Sequence, residues 1–419
     1  MHYLIRTALA AAAVGALALG GAVPAQARPV TEVRSSIVHP DSAATAPIPD
    51  GFDTVGPRLR VATFNASLNR PQPGQLALEL ESFVDPQAQA VAEIVQRNAP
   101  DVLLLNEFDH DAEGAAAESF RDNYLARSQR GQAPIDYPYM YLAPSNTGIP
   151  SGADLDGDGV VGGPADALGY GDFEGQYGMV LYSKYPIDTA NVRTFQKFLW
   201  KDMPDSRLPT RHYDELVRGV LRLPSKSMWD VPVQVGGQTV HVIAAHPTPP
   251  VFDGPEKRNQ ARNHDEIRMV NDYLGGTGTG SYIYDDAGKR GPLAPGSNFV
   301  VLGDLNADPG SGDSSPEAIR ALLENPLLVD PLPAVPQAAG DPVRGLAGIT
   351  RNVTGTADFG RGGAGVLRVD YVLPSATLPV RSSGVYWPAA GQDGADLVSG
   401  WPPASSDHRL VWVEVSLGN

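Results

Sequence analysis

The sequence predicts an α/β sandwich, and three observations predict it. The run Leu410–Val415 alternates Leu410, Trp412 and Glu414 with Val411, Val413 and Val415. A strand with apolar residues on both faces is one buried between layers. Four more β-patterned runs lie upstream, at 59–65, 101–107, 240–247 and 299–306, and each closes on polar residues. Between them lie helical spacings: Val84, Ala88, Val91, Ile94 and Val95 within 83–98, and Ile267, Val270 and Leu274 within 263–274.

Taken in chain order, Met1 to Arg6 is a short basic start, Thr7 to Val23 is small and apolar, and Ala25-Gln26-Ala27 is a small-x-small cleavage pattern. This predicts a signal peptide over 1–27, removed near Ala27, and hence a secreted, extracellular protein. Residues 28–57, rich in Pro, Ala, Ser and Asp without periodicity, read as a flexible leader. A domain over 58–418 follows. Its first strand ends at Asn65; the helix 83–98 then delivers the chain to a second strand ending at Asn106-Glu107. Met179–Ser183 is a strand and Lys184-Tyr185-Pro186-Ile187 a turn. Residues 229–235, Gly236-Gly237 and 238–244 form a β-hairpin running on to His246. The strand through Val300 and Val301 ends at Asp304-Leu305-Asn306, where extended alternation would put residues 304 and 306 on one side. Leu367–Leu373 carries Asp370 in mid-strand, and Asp407-His408 stands at the mouth of the last strand.

Two stretches read as loop insertions. Residues 275–297 are rich in Gly, Asp and Pro and read as a surface loop. Residues 142–176 contain Asp154-Leu155-Asp156-Gly157-Asp158-Gly159, with oxygen-bearing side chains at alternate positions and Gly at the sixth, the opening of an EF-hand-type calcium loop. The twelfth position is Ala165 and not Glu, so a structural Ca2+ site would need Asp166, Asp172 or Glu174; the other reading is a solvated acidic turn.

The bulk properties bound the chemistry. With no cysteine, the chain cannot use disulfides and depends on its own core. No stretch after the leader reaches the ~18 apolar residues that span a bilayer. Lys and Arg total 32 against 48 Asp and Glu, a net charge of −16. Such a surface repels polyanions, which counts against tight, processive nucleic-acid binding; a local basic strip and bound cations can still offset it.

Asn, Glu, Asp and His side chains at the same ends of several strands can converge on one divalent cation and one phosphate. Carboxylate and amide oxygens suit a hard cation, and imidazole suits proton transfer near neutral pH. The order Thr63-Phe64-Asn65, Asn106-Glu107, Ala245-His246-Pro247, Gly303-Asp304-Leu305-Asn306, Arg368-Val369-Asp370-Tyr371 and Ser406-Asp407-His408 resembles the endonuclease/exonuclease/phosphatase superfamily, from about Arg58 to Leu417. The resemblance implies a deoxyribonuclease-I-like, four-layer α/β/β/α sandwich with two packed mixed β-sheets. It implies phosphate-ester hydrolysis by in-line attack of water, with Mg2+ or Mn2+. Glu107 would be the central metal ligand, Asn65 an amide contact to metal or phosphate, and Asp407 a second carboxylate near the metal. Of Asp304 and Asn306, one would orient or activate water and the other would donate to a phosphoryl oxygen. His408 would act as base or as imidazolium partner of the phosphate, with Asp370 fixing its tautomer, and His246 would protonate the leaving group. Some members support this second histidine with a Glu; here only Glu215 or Arg218 offers a counterpart.

Two further segments stay open: Thr194–Lys201, with its aromatics and two lysines, between flanking the substrate and packing as an amphipathic strand or loop, and the polar run Arg258, Arg262, Asn263, His264, Asp265 and Glu266 between defining substrate choice and forming the polar face and cap of a helix. The resemblance does not choose a substrate. An extracellular nuclease acting on DNA or RNA is the first reading. A phosphatase or phosphodiesterase that scavenges small phosphate esters is the second. Sphingomyelin cleavage, which favours exposed apolar loops, and a non-catalytic binding module with the same fold follow. A monomer without an obligate protein partner is expected.

Overall fold

Every second residue of the first strand, β1 (Arg58–Asn65), faces a different core: Leu59 and Val61 point to one, Ala62 and Phe64 to the other. This two-sided burial makes β1 the middle of a layered structure. The computed structural model describes residues 57–275, 280–334, 354–360 and 363–418. The expected signal peptide and all of the leader but Pro57 lie outside the described residues.

Twelve further strands follow: β2 (Val102–Asn106), β3 (Tyr139–Tyr141), β4 (Met179–Ser183), β5 (Arg193–Thr194), β6 (Met228–Val235), β7 (Gln238–Ala245), β8 (Asn298–Asp304), β9 (Ala357–Asp358), β10 (Val366–Leu367), β11 (Asp370–Pro374), β12 (Val380–Val385) and β13 (Val411–Ser416). They form a six-stranded sheet, β12-β13-β1-β2-β4-β3, a five-stranded sheet, β11-β8-β7-β6-β5, and the small ribbon β9-β10. Both large sheets are mixed, since β1 runs parallel to β2 and β7 parallel to β8 while their other pairs are antiparallel.

Three apolar layers hold four structural layers together. The inner one joins Leu59, Val61, Leu104 and Val413 of one sheet to Trp229, Val231, Val242 and Leu302 of the other. Tyr141 meets Trp229 edge to face there, at 5.3 Å between ring centroids; such pairs contribute about 0.5–1.5 kcal/mol beyond area burial. The helices α1 (Gln75–Leu80), α2 (Pro86–Asn98) and α3 (Ala115–Phe120) cover the six-stranded sheet. After α4 (Glu215–Val220), the helices α5 (Arg258–Tyr273) and α6 (Pro316–Leu323) cover the five-stranded one. The predicted four-layer sandwich is therefore the observed one. No helix among the described residues is long and apolar enough to cross a membrane.

Local chemistry sets the boundaries. Asp85 caps α2 by accepting from Ala88 N–H at 2.7 Å, with Pro86 in the first turn. Helix α5 begins at Arg258, five residues before the apolar spacing predicts, because Asp253 accepts the N–H groups of Asn259 and Gln260 at 2.6 and 2.9 Å. The 275–297 stretch is more than a surface loop: residues 276–279 are not described, but Ile283 and Leu293 enter the core and Asp285 forms a buried ion pair with Arg193 at 2.7 Å. Asp370 opens β11 and does not sit in mid-strand, because Val369 and Asp370 give their N–H groups to the Thr356 hydroxyl, at 3.0 Å each.

Candidate active site

The strand pairing brings the polar strand ends together. Parallel register sets Asn65 beside Asn106, the residue before Glu107. Ala244 pairs with Leu302, so His246, just past β7, comes beside Asp304, the last residue of β8. Asp370 is the antiparallel partner of Asp304. Thr63 pairs with Val411, which carries His408 to the same edge. Gly303 makes the approach possible: at φ +144° a Cβ there would lie 1.8 Å from the Ala245 carbonyl oxygen.

Hydrogen bonds then tie the two sheets at this edge. Asn65 donates through Nδ2 to Glu107 Oε1 and to Asp304 Oδ2, at 3.0 Å each. Asn69 donates to the other oxygen of Glu107 at 3.0 Å. His408 Nδ1 lies 2.9 Å from Asp370 Oδ2, and its Nε2 lies 3.8 Å from Asp304 Oδ2. Thr356 donates to Asp370 at 2.8 Å and holds it in place. His246 Nε2 lies 3.5 Å from the same Asp304 oxygen. Glu107 and Asn306 both adopt left-handed backbone, φ 55° and 51°; Asn tolerates it, whereas for Glu it is sparsely populated and clusters at functional sites.

Burial and mutual charge separate the protonation states. Burial raises the Glu107 carboxyl, while the Asn65 amide opposes it. Burial pushes Asp304 up to about 6; His408 opposes this and Asp370 adds to it. For His408 burial works against the charged ring, but Asp370 and then Asp304 outweigh it and raise the group to about 10. Burial, Lys226 and His408 together hold His246 well below the usual histidine range. At neutral pH the site therefore has one charged and one neutral imidazole.

Glu107 offers a single carboxylate suited to a hard cation. Both its oxygens face only amide N–H donors, and among the described residues no cationic side chain pairs with it. The ligating atoms of Asp304, Asp370 and His408 also lie within 4.8 Å of one another. Those atoms are committed to each other, which makes the trio a histidine held by carboxylates and not an open oxygen site.

Several expectations change. Asn306 reaches the Asp304 side through a turn and not through alternation: its N–H bonds Asp304 Oδ1 at 2.9 Å, and its side chain donates to the Pro247 carbonyl at 3.1 Å. Neither Glu215 nor Arg218 supports His246; both lie on α4, and His246 Nδ1 has no partner among the described residues. Asp407 is half-buried beside His408, and among the described residues no donor bonds its carboxylate. Phe195, Phe198 and Trp200 of the Thr194–Lys201 segment are core residues. The polar run on α5 positions loops: Arg262 donates to the carbonyls of Leu223 and Leu168, Asn263 to those of Thr248 and Leu305, while Glu266 accepts from Ser225 and Thr248 N–H. The carboxylates of Asp154, Asp156 and Asp158 gather within 4.8 Å, yet each caps N–H groups of its own turn. Asp166 is occupied by the N–H groups of Leu155 and Gly162.

Sequence reading missed Asn69, Thr356 and Lys226. Only Asn69, four residues after Asn65, carries a local signal. Lys226 lines a cleft of about 560 Å³ that opens beside Glu107. Tyr170 and Tyr177, together with Val251 and Phe252, form its walls. Phe252 is 97% exposed, an apolar loop residue that the sequence did not reveal.

The model of the endonuclease/exonuclease/phosphatase family matches residues 62–408. No curated protein matches the chain. Solved structures similar to it include an endonuclease/exonuclease/phosphatase from Beutenbergia cavernae, 18% identical over 86% of this chain and 72% of that one, with a TM-score of 0.48. A Staphylococcus aureus beta toxin mutant with bound magnesium ions is 14% identical over 85% of this chain and 99% of that one, TM-score 0.43. A mannosyl-6-phosphatase from Bacteroides thetaiotaomicron is 13% identical over 86% and 100% of the two chains, TM-score 0.44.

Proposed function

The chain belongs to the endonuclease/exonuclease/phosphatase family of metal-dependent phosphate-ester hydrolases, and on that premise we propose that it is an exported, monomeric phosphatase or phosphodiesterase acting on small phosphate esters. One observation carries the choice of substrate. Glu107, at the edge of the polar cluster, lines a cleft of about 560 Å³, within the roughly 300–1,000 Å³ of small-molecule sites, and not an open basic strip. Arg258 lines the cleft but donates to the carbonyls of Leu155 and Ala165, and Arg262 is buried against backbone carbonyls. Glu256 and Asp156 lie on the same walls. A nucleic-acid strand needs a row of free cations along its phosphates, and the net charge of −16 works against it.

The residues divide the work as follows. Glu107, with Asp407 as a further carboxylate, would hold magnesium or manganese; Asn65, expected as a metal or phosphate contact, instead orients Glu107 and Asp304 through its Nδ2 while its Oδ1 accepts from Ser67 N–H. When bound, the cation supplies charge stabilisation on the phosphoryl oxygens. Asp304, ionised at neutral pH, orients the attacking water and takes its proton. His408, charged and held by Asp370, donates through Nε2 to the phosphoryl group and is the better proton source for the leaving oxygen. His246, kept neutral by burial, donates a hydrogen bond from Nε2 and so takes a different role from the general acid that the resemblance implies. The 154–158 turn is a second place for a hard cation, calcium, as a brace of the cleft wall; thermal shifts with and without calcium test it.

Export rests on the Met1–Ala27 pattern, and amino-terminal sequencing of protein recovered from the medium should begin near Arg28. The substrate test is product release from small mono- and diesters, sphingomyelin vesicles, plasmid DNA and RNA, with magnesium, manganese or calcium and a chelator control. Turnover confined to small esters supports the proposal. Chelator-sensitive nicking of DNA that is lost in His408→Ala would replace it with the nuclease reading.

A further inference from the structure

Lys226 has no part in the roles above, and its setting is unusual for a lysine. Its backbone is held by its own carbonyl and by its neighbours. The Lys226 carbonyl accepts from Asn146 N–H at 2.9 Å. Its neighbour Ser225 gives its N–H to Glu266 at 2.5 Å and its hydroxyl to the His246 carbonyl at 3.4 Å. Met228, two residues on, pairs with Ala245 at the end of β7. The lysine is therefore fixed beside the strand end that carries His246.

Its side chain is buried, with 6% of the residue exposed, and lines the cleft that Glu107 also lines. Among the described residues the ammonium makes no hydrogen bond and no ion pair, though Glu266, Glu107 and Asp304 all act on it electrostatically. The side chain is thus nine-tenths buried, with its ammonium uncommitted to any described acceptor at the cleft wall, where a ligand's oxygen can reach it. Burial lowers its pKa, those three carboxylates opposing. A compact, flexible point charge suits a phosphate oxygen.

We propose that Lys226 is a further catalytic residue: its ammonium binds a non-bridging oxygen of the substrate's phosphoryl group, on the cleft side of the Glu107–Asp304–His408 cluster. This rests on the phosphate-ester hydrolase reading. Positioned there, the lysine stabilises the charge that develops on that oxygen as water attacks, by a preorganised contact that needs no rearrangement. No proton leaves the ammonium in this role.

The experiment compares full-length mature wild type with Lys226→Met, close in shape and uncharged, and with Lys226→Arg, which keeps the charge. Three quantities are read with magnesium present: kcat/KM on a small phosphate ester, affinity for inorganic phosphate by calorimetry, and Tm. For Lys226→Met the expected result is a loss of about 10²–10³ in kcat/KM. Phosphate affinity should fall by about tenfold or more, with Tm within a few degrees of wild type, since the ammonium holds no described protein hydrogen bond to lose. Lys226→Arg should retain most of the phosphate affinity. The proposal is overturned if Lys226→Met keeps phosphate affinity within about twofold of wild type, whatever its Tm, since the lysine would then be structural. If Lys226→Met does not fold, Lys226→Gln replaces it under the same criterion. Absence of turnover by wild type on every ester would count against the hydrolase reading, and the calorimetric comparison would still decide the role of Lys226.

Discussion

Asp304 and Asp370 stand opposite one another in register on β8 and β11, and the His408 ring contacts both carboxylates, with Nδ1 2.9 Å from Asp370 and Nε2 3.8 Å from Asp304. Two buried carboxylates on neighbouring strands repel each other, and a charged imidazole between them offsets the repulsion. Asp370 therefore has two jobs: it fixes the ring, and it keeps the ring charged. Asp370→Asn preserves shape and removes the charge. We expect kcat to fall by about 100-fold or more with KM within a few-fold of wild type, the range for losing a positioned proton-transfer group. Steady-state kinetics with a circular dichroism check of the fold tests this, and a kcat within threefold of wild type would show that the pair is structural.

The same pair sets a pH dependence of stability. Unfolded histidine titrates near ~6.5, whereas His408 in the folded chain is raised to about 10. Stabilisation from the charged ring is then complete below ~6.5 and is lost as pH rises through about 10. In chelator, Tm of the wild type should decline between pH 7 and 10 more steeply than Tm of His408→Gln. Parallel curves for the two proteins would contradict the raised value.

Much of this site was legible because strand chemistry is periodic. A two-residue repeat identifies a strand, parallel pairing puts successive strand ends at one edge, and a polar residue that closes an apolar run must lie there. Strand ends pointed to Asn65, Glu107, His246 and Asp304, and the resemblance carried by the order of the motifs added Asp370 and His408; the structure brings all six to one edge. Such reasoning failed where contact depends on side chains from elsewhere. Thr356 reaches Asp370 from a separate segment, and Lys226 sits in no periodic pattern. Asn306 lies beside Asp304 through an Asx turn, which alternation cannot describe. The polar run of α5 read either as substrate contacts or as the polar face and cap of a helix; instead Arg262 and Glu266 are buried because backbone groups of neighbouring loops satisfy them.

Metal dependence should separate the carboxylates. Glu107 accepts from two amides and faces the cleft, so Glu107→Gln should lower kcat/KM by roughly a thousandfold, several kcal/mol of lost charge stabilisation. Chelator should abolish wild-type turnover, and added magnesium should restore it. Asp407 has no described donor on its carboxylate and is half-exposed, so Asp407→Asn should cost about tenfold or less, as a weaker and more solvated ligand would. Magnesium titrations of activity in the three proteins would rank them, and an Asp407→Asn defect as large as that of Glu107→Gln would reverse the assignment.

Gly303 links fold and site most tightly. It precedes Asp304 at φ +144°, and a Cβ there would lie 1.8 Å from the Ala245 carbonyl oxygen. That contact is backbone, so no side chain can move aside to relieve it; β7 and β8 must separate. Because His246 follows the end of β7 and Asp304 ends β8, the displacement falls directly on their 3.5 Å contact. Gly303→Ala should therefore combine a strain penalty at a special φ with a misplaced site. We expect Tm to fall by roughly 5 °C or more and residual kcat, measured well below that Tm, to drop by about 100-fold. Calorimetry and kinetics on the same preparation distinguish the two effects. Near-normal kcat in a destabilised Gly303→Ala protein would show that strand spacing at this edge matters to stability and not to the reaction.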